Sequence, residues 1–172
     1  MYNDFVIVGP VGDPAGIRMI PSLGAVLVQL AKGKAPFISR GDDSGTHKKE
    51  QELWGAVGEN PGGFDPGWYR ATGLGMGISL NIANALGAYI LTDRATWLTF
   101  GNKGDLELFF QGDPALFNQY AFIPVNPARQ RHVNHAGAVA LEAWLISDTG
   151  QTAIASHTLE GQKLFKPNTP LK

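Results

Sequence analysis

Hydrophobic and polar positions fall into short blocks whose period changes along the chain. "DFVIV" at residues 4–8 is an almost unbroken apolar run and predicts a strand, stopped by Gly9 and Pro10. The turn-rich "VGDPAGIRMI" follows, and Pro21 suits the first position of a helix. Leu23, Val26, Leu27 and Leu30 then recur at helical spacing and define one apolar face, which Lys32-Gly33-Lys34 closes. "APFIS" predicts a short buried strand. A helix from about residue 45 to 57 carries Leu53, Trp54 and Val57 as its inward stripe.

Residues 58–77 pack glycine, proline and aromatics into an ordered loop in which Phe64, Trp68 and Tyr69 need somewhere to pack. From Ile78 the period is helical again, with Ile78, Ile82 and Ala85 on one side and Asn81 and Asn84 on the other. "AYILT" reads as a strand. Thr92 is the expected N-cap of "DRATWLTF", with Asp93 in its first turn. "LELFF" and "QYAFIPVN" supply further strand-like runs, the second ending at the turn signal Asn126-Pro127. Two helices complete the chain. Ala138, Leu141 and Leu145 share a face of the first, and Asp148 with Gln151 has the capping-box spacing at the start of the second. Trp54, Trp97 and Trp144 occupy positions expected of core. Strands alternating with helices predict an α/β architecture.

Composition narrows the function classes. The chain has 172 residues, 44% hydrophobic and 17% charged, with a formal net charge of −1. That balance describes a folded domain rather than a disordered segment or a generic nucleic-acid binder. Without cysteine, neither a disulfide framework nor a thiolate metal site can form. No apolar run reaches the length of a membrane span. "MYNDFVIVGP" lacks the basic and long apolar regions of a signal peptide.

Candidate chemistry lies where a strand ends, small residues follow and a helix begins. "FISRGDDSGTH", "TGLGMGISL" and "YILTDRA" share this arrangement. A helix N-terminus presents unpaired N–H groups and the positive end of the peptide dipole, which suits an anion. In the first of the three, glycine permits close approach, Ser44 and Thr46 add hydroxyls, and Arg40 adds a permanent planar cation suited to oxyanions. Asp42 is placed to hold that guanidinium. His47, Lys48 and Lys49 load further cations onto a helix end that is already positive, which a bound anion would complement. The same residues also describe an ordinary cap and a surface ion pair of Arg40 with Asp42 or Asp43.

Other constellations are weaker. "GLGMG" lacks the dinucleotide fingerprint, and no Gly-Lys-Ser/Thr follows Gly45. Ser44, His47 and Asp42 crowd into one turn without a nucleophile elbow, which disfavours a hydrolase. His132 and His135 have no nearby third ligand and make a poor metal site. Arg40-Gly41-Asp42 spells an adhesion tripeptide too short to carry meaning.

Three blocks together resemble a known family: "FISRGDDSGTHKKEQELW", "GLGMGISLNIANALGAYILTDRATWL" and "WLISDTGQTAIASHTLEGQKLFKPN". The resemblance is to the tungstate-binding proteins of bacterial ABC importers, within the type II periplasmic-binding-protein fold, and it covers nearly the whole chain. "RGDDSGT" also looks like the anion loop of phosphate-binding relatives. The resemblance implies an α/β fold of type II periplasmic-binding-protein kind, with one complete lobe plus the C-terminal helices of the other. Residues 10–119 would be the complete lobe. Residues 1–9 and 120–126 would be crossover strands, and 127–172 helices of the incomplete lobe.

It further implies a non-enzymatic, periplasmic or extracytoplasmic receptor for a tetrahedral oxyanion, tungstate favoured over molybdate, without a cofactor or metal. Arg40, Ser44, Gly45 and Thr46 would contact the anion, joined by N–H groups near Met76 and Thr92, while Asp42 orients Arg40. The expected partner is a membrane ABC permease. Because the front segment of such proteins has no counterpart here, the chain should hold half of an oxyanion site. Self-association, or a second chain, would then supply the rest. A ligand-sensing domain, or a phosphate- or sulfate-binding protein on the same fold, is the alternative.

Overall fold

The computed structural model describes residues 1–159 and 161–168. Two compact units divide the chain: Asp4–Phe117, and Met1–Asn3 together with the chain from Asn118 onward.

The first unit is built on a mixed sheet in the order β3-β2-β4-β1-β5, made of β1 (Tyr2–Pro10), β2 (Phe37–Ser39), β3 (Tyr69–Ala71), β4 (Tyr89–Asp93) and β5 (Leu106–Phe110). β6 (Phe117–Gln119) pairs with β1 off this path. β2 runs parallel to β3 and to β4, whereas β1 is antiparallel to both β4 and β5. Alternation along each strand sends side chains to opposite faces. Phe5, Ile7, Phe37, Tyr89 and Leu91 join one cluster, and Val6, Val8, Ile38 and Ile90 the other. Gly9 and Pro10 belong to β1 rather than ending it. The strand passes so close to Tyr89 that a Cβ on Gly9 would lie 2.2 Å from its ring.

Helices cover both faces. α1 (Leu23–Gly33) and α2 (Gly45–Ala56) pack on the first, α3 (Met76–Leu86) and α4 (Arg94–Thr99) on the second. Leu23, Val26, Leu27 and Leu30 are the buried face of α1, as their spacing predicts. Ser22, not Pro21, precedes the helix as its cap, accepting the N–H of Ala25. Trp54 is fully buried at the centre of an aromatic cluster with Phe37, Phe64 and Trp68, its ring 5.3 Å from both phenylalanines. Truncating such a side chain to alanine costs about 3–5 kcal/mol. Phe64, Trp68 and Tyr69 therefore order the 58–77 connection, which also contains β3, a strand the sequence pattern hides.

Two expectations about helix faces are corrected. α3 buries Met76, Ser79, Leu80 and Ala83, leaving Ile78 and Ala85 exposed, because Leu80 and Ala83 are the residues packed against the sheet with Trp97. Asp93, not Thr92, caps α4; Thr92 is still in β4 and fully buried.

In the second unit, Tyr2 pairs with Lys166 through reciprocal backbone bonds of 2.9 and 2.8 Å, and the N-terminal ammonium donates to Asn168 Oδ1 at 2.8 Å. Beyond β6, residues 120–134 contain no regular element, so the predicted strand through Val125 is absent. α5 (His135–Ile146) and α6 (Asp148–Ser156) meet at Ser147, and a short hairpin of β7 (Thr158–Leu159) and β8 (Gln162–Lys163) follows. The Ser147 hydroxyl donates to Trp144 O at 2.7 Å and accepts the N–H of Gly150 at 3.1 Å, so one residue terminates α5 and caps α6. Gly150 is required there, since a Cβ would stand 2.0 Å from Trp144 O. Gln151 is not a capping-box partner; its Nε2 donates to Leu145 O at 2.6 Å. α5 has no buried residue, and Val139, Leu141, Trp144 and Ile146 are exposed. Trp144, expected in the core, is 45% exposed.

Candidate oxyanion site

The parallel strands β2, β3 and β4 deliver their carboxyl ends to one edge of the sheet. Ser39 is level with Ala71 of β3, and Ile38 with Ile90 of β4. The chain then turns into α2, α3 and α4 respectively. In open α/β sheets, ligands bind in such a crevice.

The turn after β2 is tightly determined. Gly41 adopts φ 60°, and a Cβ there would fall 2.6 Å from the Ala71 Cβ, so only glycine fits. Asp43 also has positive φ, at 59°. The Arg40 carbonyl accepts the N–H of Gly73 at 2.8 Å and the Thr72 hydroxyl at 3.2 Å, while Ser39 O accepts the Thr72 N–H at 3.0 Å. The backbone of Arg40 is thereby locked to the end of β3.

Its side chain is fixed as well. Asp42 Oδ2 accepts from Arg40 Nε at 3.1 Å and also from Nη2, while Asp42 Oδ1 accepts the Ser44 N–H at 3.2 Å. Hydrogen bonds from Ser44 first, and then from Arg40, hold the Asp42 carboxyl down at about 2. Asp42 is accordingly ionised at neutral pH and orients a guanidinium whose remaining donors are open to a ligand.

At the start of α2, Ser44 Oγ accepts the His47 N–H at 3.3 Å and Ser44 O accepts the Lys48 N–H at 2.9 Å. The N–H groups of Gly45 and Thr46 have no acceptor within the helix, by its geometry. The Ser44 N–H is taken by Asp42, and the Ser44 hydroxyl also hydrogen-bonds that carboxylate.

The excess of cations is balanced locally. His47 Nδ1 accepts the N–H of Asp43 at 3.1 Å. Lys48 pairs with Asp43 at 3.4 Å and Lys49 with Glu52 at 3.2 Å. Both lysines at this helix start are therefore paired with carboxylates.

α3 begins at Gly75 with no side-chain cap, which leaves the first-turn N–H groups of Met76, Gly77 and Ile78 open. The Met76 side chain is buried, so its backbone is what it can offer. Thr72 Oγ1 braces the approach, lying 2.9 Å from Ser79 Oγ and accepting the Leu74 N–H at 3.2 Å. Thr92 stands differently. Its hydroxyl donates to Asp93 O at 3.3 Å, and the Asp93 carboxylate already occupies the start of α4, accepting from Thr96 N at 2.9 Å. Among the described residues no cluster of three or more His, Cys, Asp or Glu could hold a metal. His132 precedes α5, and His135 is its first residue.

Sequence reasoning passed over Glu50 and Tyr69. Glu50 is buried on α2, and its carboxylate Oε1 accepts the Tyr69 hydroxyl at 2.6 Å. Its spacing from Thr46, Leu53 and Trp54 on the inward face was the available signal.

Comparison with known proteins identifies relatives of the chain. The PBP superfamily domain matches residues 1–149. A protein of Haloferax volcanii, named provisionally as the anion-binding protein of an ABC transporter, is 46% identical over 173 residues, spanning 98% of this chain and 50% of that protein. The tungstate-binding protein TupA of Peptoclostridium acidaminophilum is 42% identical over 172 residues, spanning 98% of this chain and 59% of its own length. The structure of the tungstate-binding protein TupA from Desulfovibrio alaskensis superposes with a TM-score of 0.82 at 42% identity, over 99% of this chain and 69% of that one. This chain thus spans about half to two-thirds of the length of its relatives, which are binding proteins rather than enzymes. With the strand order, the arginine-anchored turn and these similarities in agreement, the chain belongs to the PBP superfamily and, within it, to the family of the tungstate-binding proteins.

Proposed function

We propose that the chain carries one wall of the oxyanion site of an extracytoplasmic solute-binding component, serving a membrane ABC permease and taking a tetrahedral dianion of the tungstate or molybdate type. Arg40, Ser44, and the N–H groups of Gly45, Thr46 and Met76 are the contacts, with Asp42 orienting Arg40 and Thr92 setting the level of the neighbouring strand end. The observation that carries this reading is the Arg40–Asp42 pair seated beside the open N–H groups of α2. Asp42 takes up the guanidinium's charge without blocking its outer donors, the arrangement a planar fork needs for an oxyanion.

The Asp4–Phe117 unit serves as one lobe, and the chain after residue 126 as helices of the other. The opposite wall comes from polypeptide equivalent to the part of the relatives that this chain does not span, in the same protein or in a second chain. Calorimetry with tungstate, molybdate, sulfate and phosphate tests the proposal. Tungstate or molybdate should bind best, and Arg40→Ala should abolish the heat. Absence of heat with all four anions overturns it, and strongest binding of phosphate would move the ligand class.

A further inference from the structure

The carboxyl of Glu50 lies beneath the proposed site with no cation to compensate it. Glu50 is 3% exposed and five residues beyond Gly45, about 7.5 Å along the axis of α2. The groups that meet it are neutral. From β3 the Tyr69 hydroxyl donates to Oε1 at 2.6 Å, and Gln51 Nε2 in turn donates to that hydroxyl at 3.1 Å. From β2 comes the Ser39 hydroxyl and from α2 the Trp54 indole N–H, both buried and otherwise without partners. β4 presents Tyr89 to Thr92, with Asp93 engaged as the α4 cap, and α1 carries only the exposed Lys32.

Every other charge near this helix start is paired: Arg40 with Asp42, Lys48 with Asp43, Lys49 with Glu52. His47 Nδ1 accepts the Asp43 N–H. The Arg, Lys, Asp and Glu side chains from Arg40 to Leu53 consequently cancel when Glu50 is protonated and leave one net negative charge when it is not. That charge is buried, so solvent and salt screen it little.

We infer that Glu50 is a proton-controlled determinant of oxyanion binding: the site takes a dianion when the Glu50 carboxyl is neutral and resists it when the carboxyl is ionised. Burial pushes this carboxyl up to about 7, against smaller opposing contributions from the Tyr69, Ser39 and Trp54 donors. Ionisation therefore falls within the range of ordinary environments. Binding a dianion raises the carboxyl's proton affinity in return, so anion and proton are taken up together.

The inference rests on the oxyanion reading of Arg40 and α2, and the test separates the two. The full chain is titrated with sodium tungstate at pH 6 and pH 8.5, and at pH 7.5 in two buffers of different ionisation enthalpy. Affinity should fall about tenfold or more from pH 6 to pH 8.5, the effect of one buried charge at this distance. Proton uptake should accompany binding at pH 7.5. Glu50→Gln should bind as the parent does at pH 6, with neither the fall nor the uptake. Tyr69→Phe removes a donor that favours the ionised form, so it should move the midpoint of the fall to higher pH, which keeps the test open should the glutamine variant fail to fold. A pH-independent affinity in the parent, or an undiminished fall in Glu50→Gln, overturns the inference and leaves the oxyanion site standing. No binding at pH 6 overturns both.

Discussion

Asp43 donates its backbone N–H to Nδ1 of His47 at 3.1 Å, and its carboxylate pairs with Lys48 at 3.4 Å. One residue in a left-handed conformation therefore engages two of the basic residues at the head of α2. What remains to meet an anion is a set of directed donors, and each can be tested.

Arg40→Lys should weaken oxyanion binding about tenfold, although the charge is kept. Arg40 engages Asp42 through two nitrogens and still has donors to spare, which a single ammonium cannot reproduce. Equal affinities for the two proteins in calorimetry would show that charge alone suffices.

Acid titration should reveal Asp42. Its carboxyl is depressed from 3.8 to about 2 in the folded protein, so its contribution is present above pH 4 and is lost as pH falls from about 4 to 2. Asp42→Asn should flatten unfolding stability over that interval. An unchanged slope would contradict the pairing with Ser44 and Arg40.

Glu50 acts with the opposite sign. Because its folded value is raised from 4.5 to about 7, the unfolded chain releases the proton first, and stability declines as pH rises from about 4.5 to 7. The decline amounts to about 3 kcal/mol for this one group. Urea unfolding at pH 5 and pH 8 should show it in the parent and not in Glu50→Gln.

Gly41→Ala and Gly45→Ala should separate sharply. The first meets Ala71 at 2.6 Å and places alanine at φ 60°, whereas a Cβ at Gly45 meets nothing within 4 Å. A loss of about 1–3 kcal/mol is expected at position 41, and little change at position 45. Thermal unfolding measures both.

Association is expected of the C-terminal unit. Leu141, Trp144 and Ile146 are exposed on α5, and an apolar groove of about 250 Å³ lies beside that helix, lined by Tyr120, Phe122, Leu145, Ile146 and Ile154. Light scattering should show mass rising with concentration, and Leu141→Glu should reduce the rise. A stable monomer at all concentrations would show that this face needs no cover.

Much of the first unit was legible because its signals are local. The Leu23–Leu30 face of α1 is buried as its spacing predicts, and the apolar runs at 4–8, 88–92 and 106–110 form strands. The turn at "SRGDDSGT" was legible for the same reason: cap, glycine and arginine are contiguous. β3 was not, since three residues of which only Tyr69 is buried carry no period. The face of α3 was misread because apolar residues surround it, and contact with Trp97 and the sheet decides which of them go inside. Trp144 looked like core because composition cannot tell a covered apolar face from an uncovered one. Glu50 went unnoticed because a charged residue on an inward stripe looks like a break in the pattern until Tyr69, in a distant strand, is seen to meet it.

β1 has a consequence for how the protein reaches its native state. It sits between β4 and β5, and Val8 finds Ile90 and Leu108 only more than 80 residues later in the chain. During synthesis this interior strand leaves the ribosome well before either flanking partner exists. Its apolar residues must wait, exposed, while most of the unit is translated. Pairing at such sequence separation places folding toward the slow end for a domain of this size.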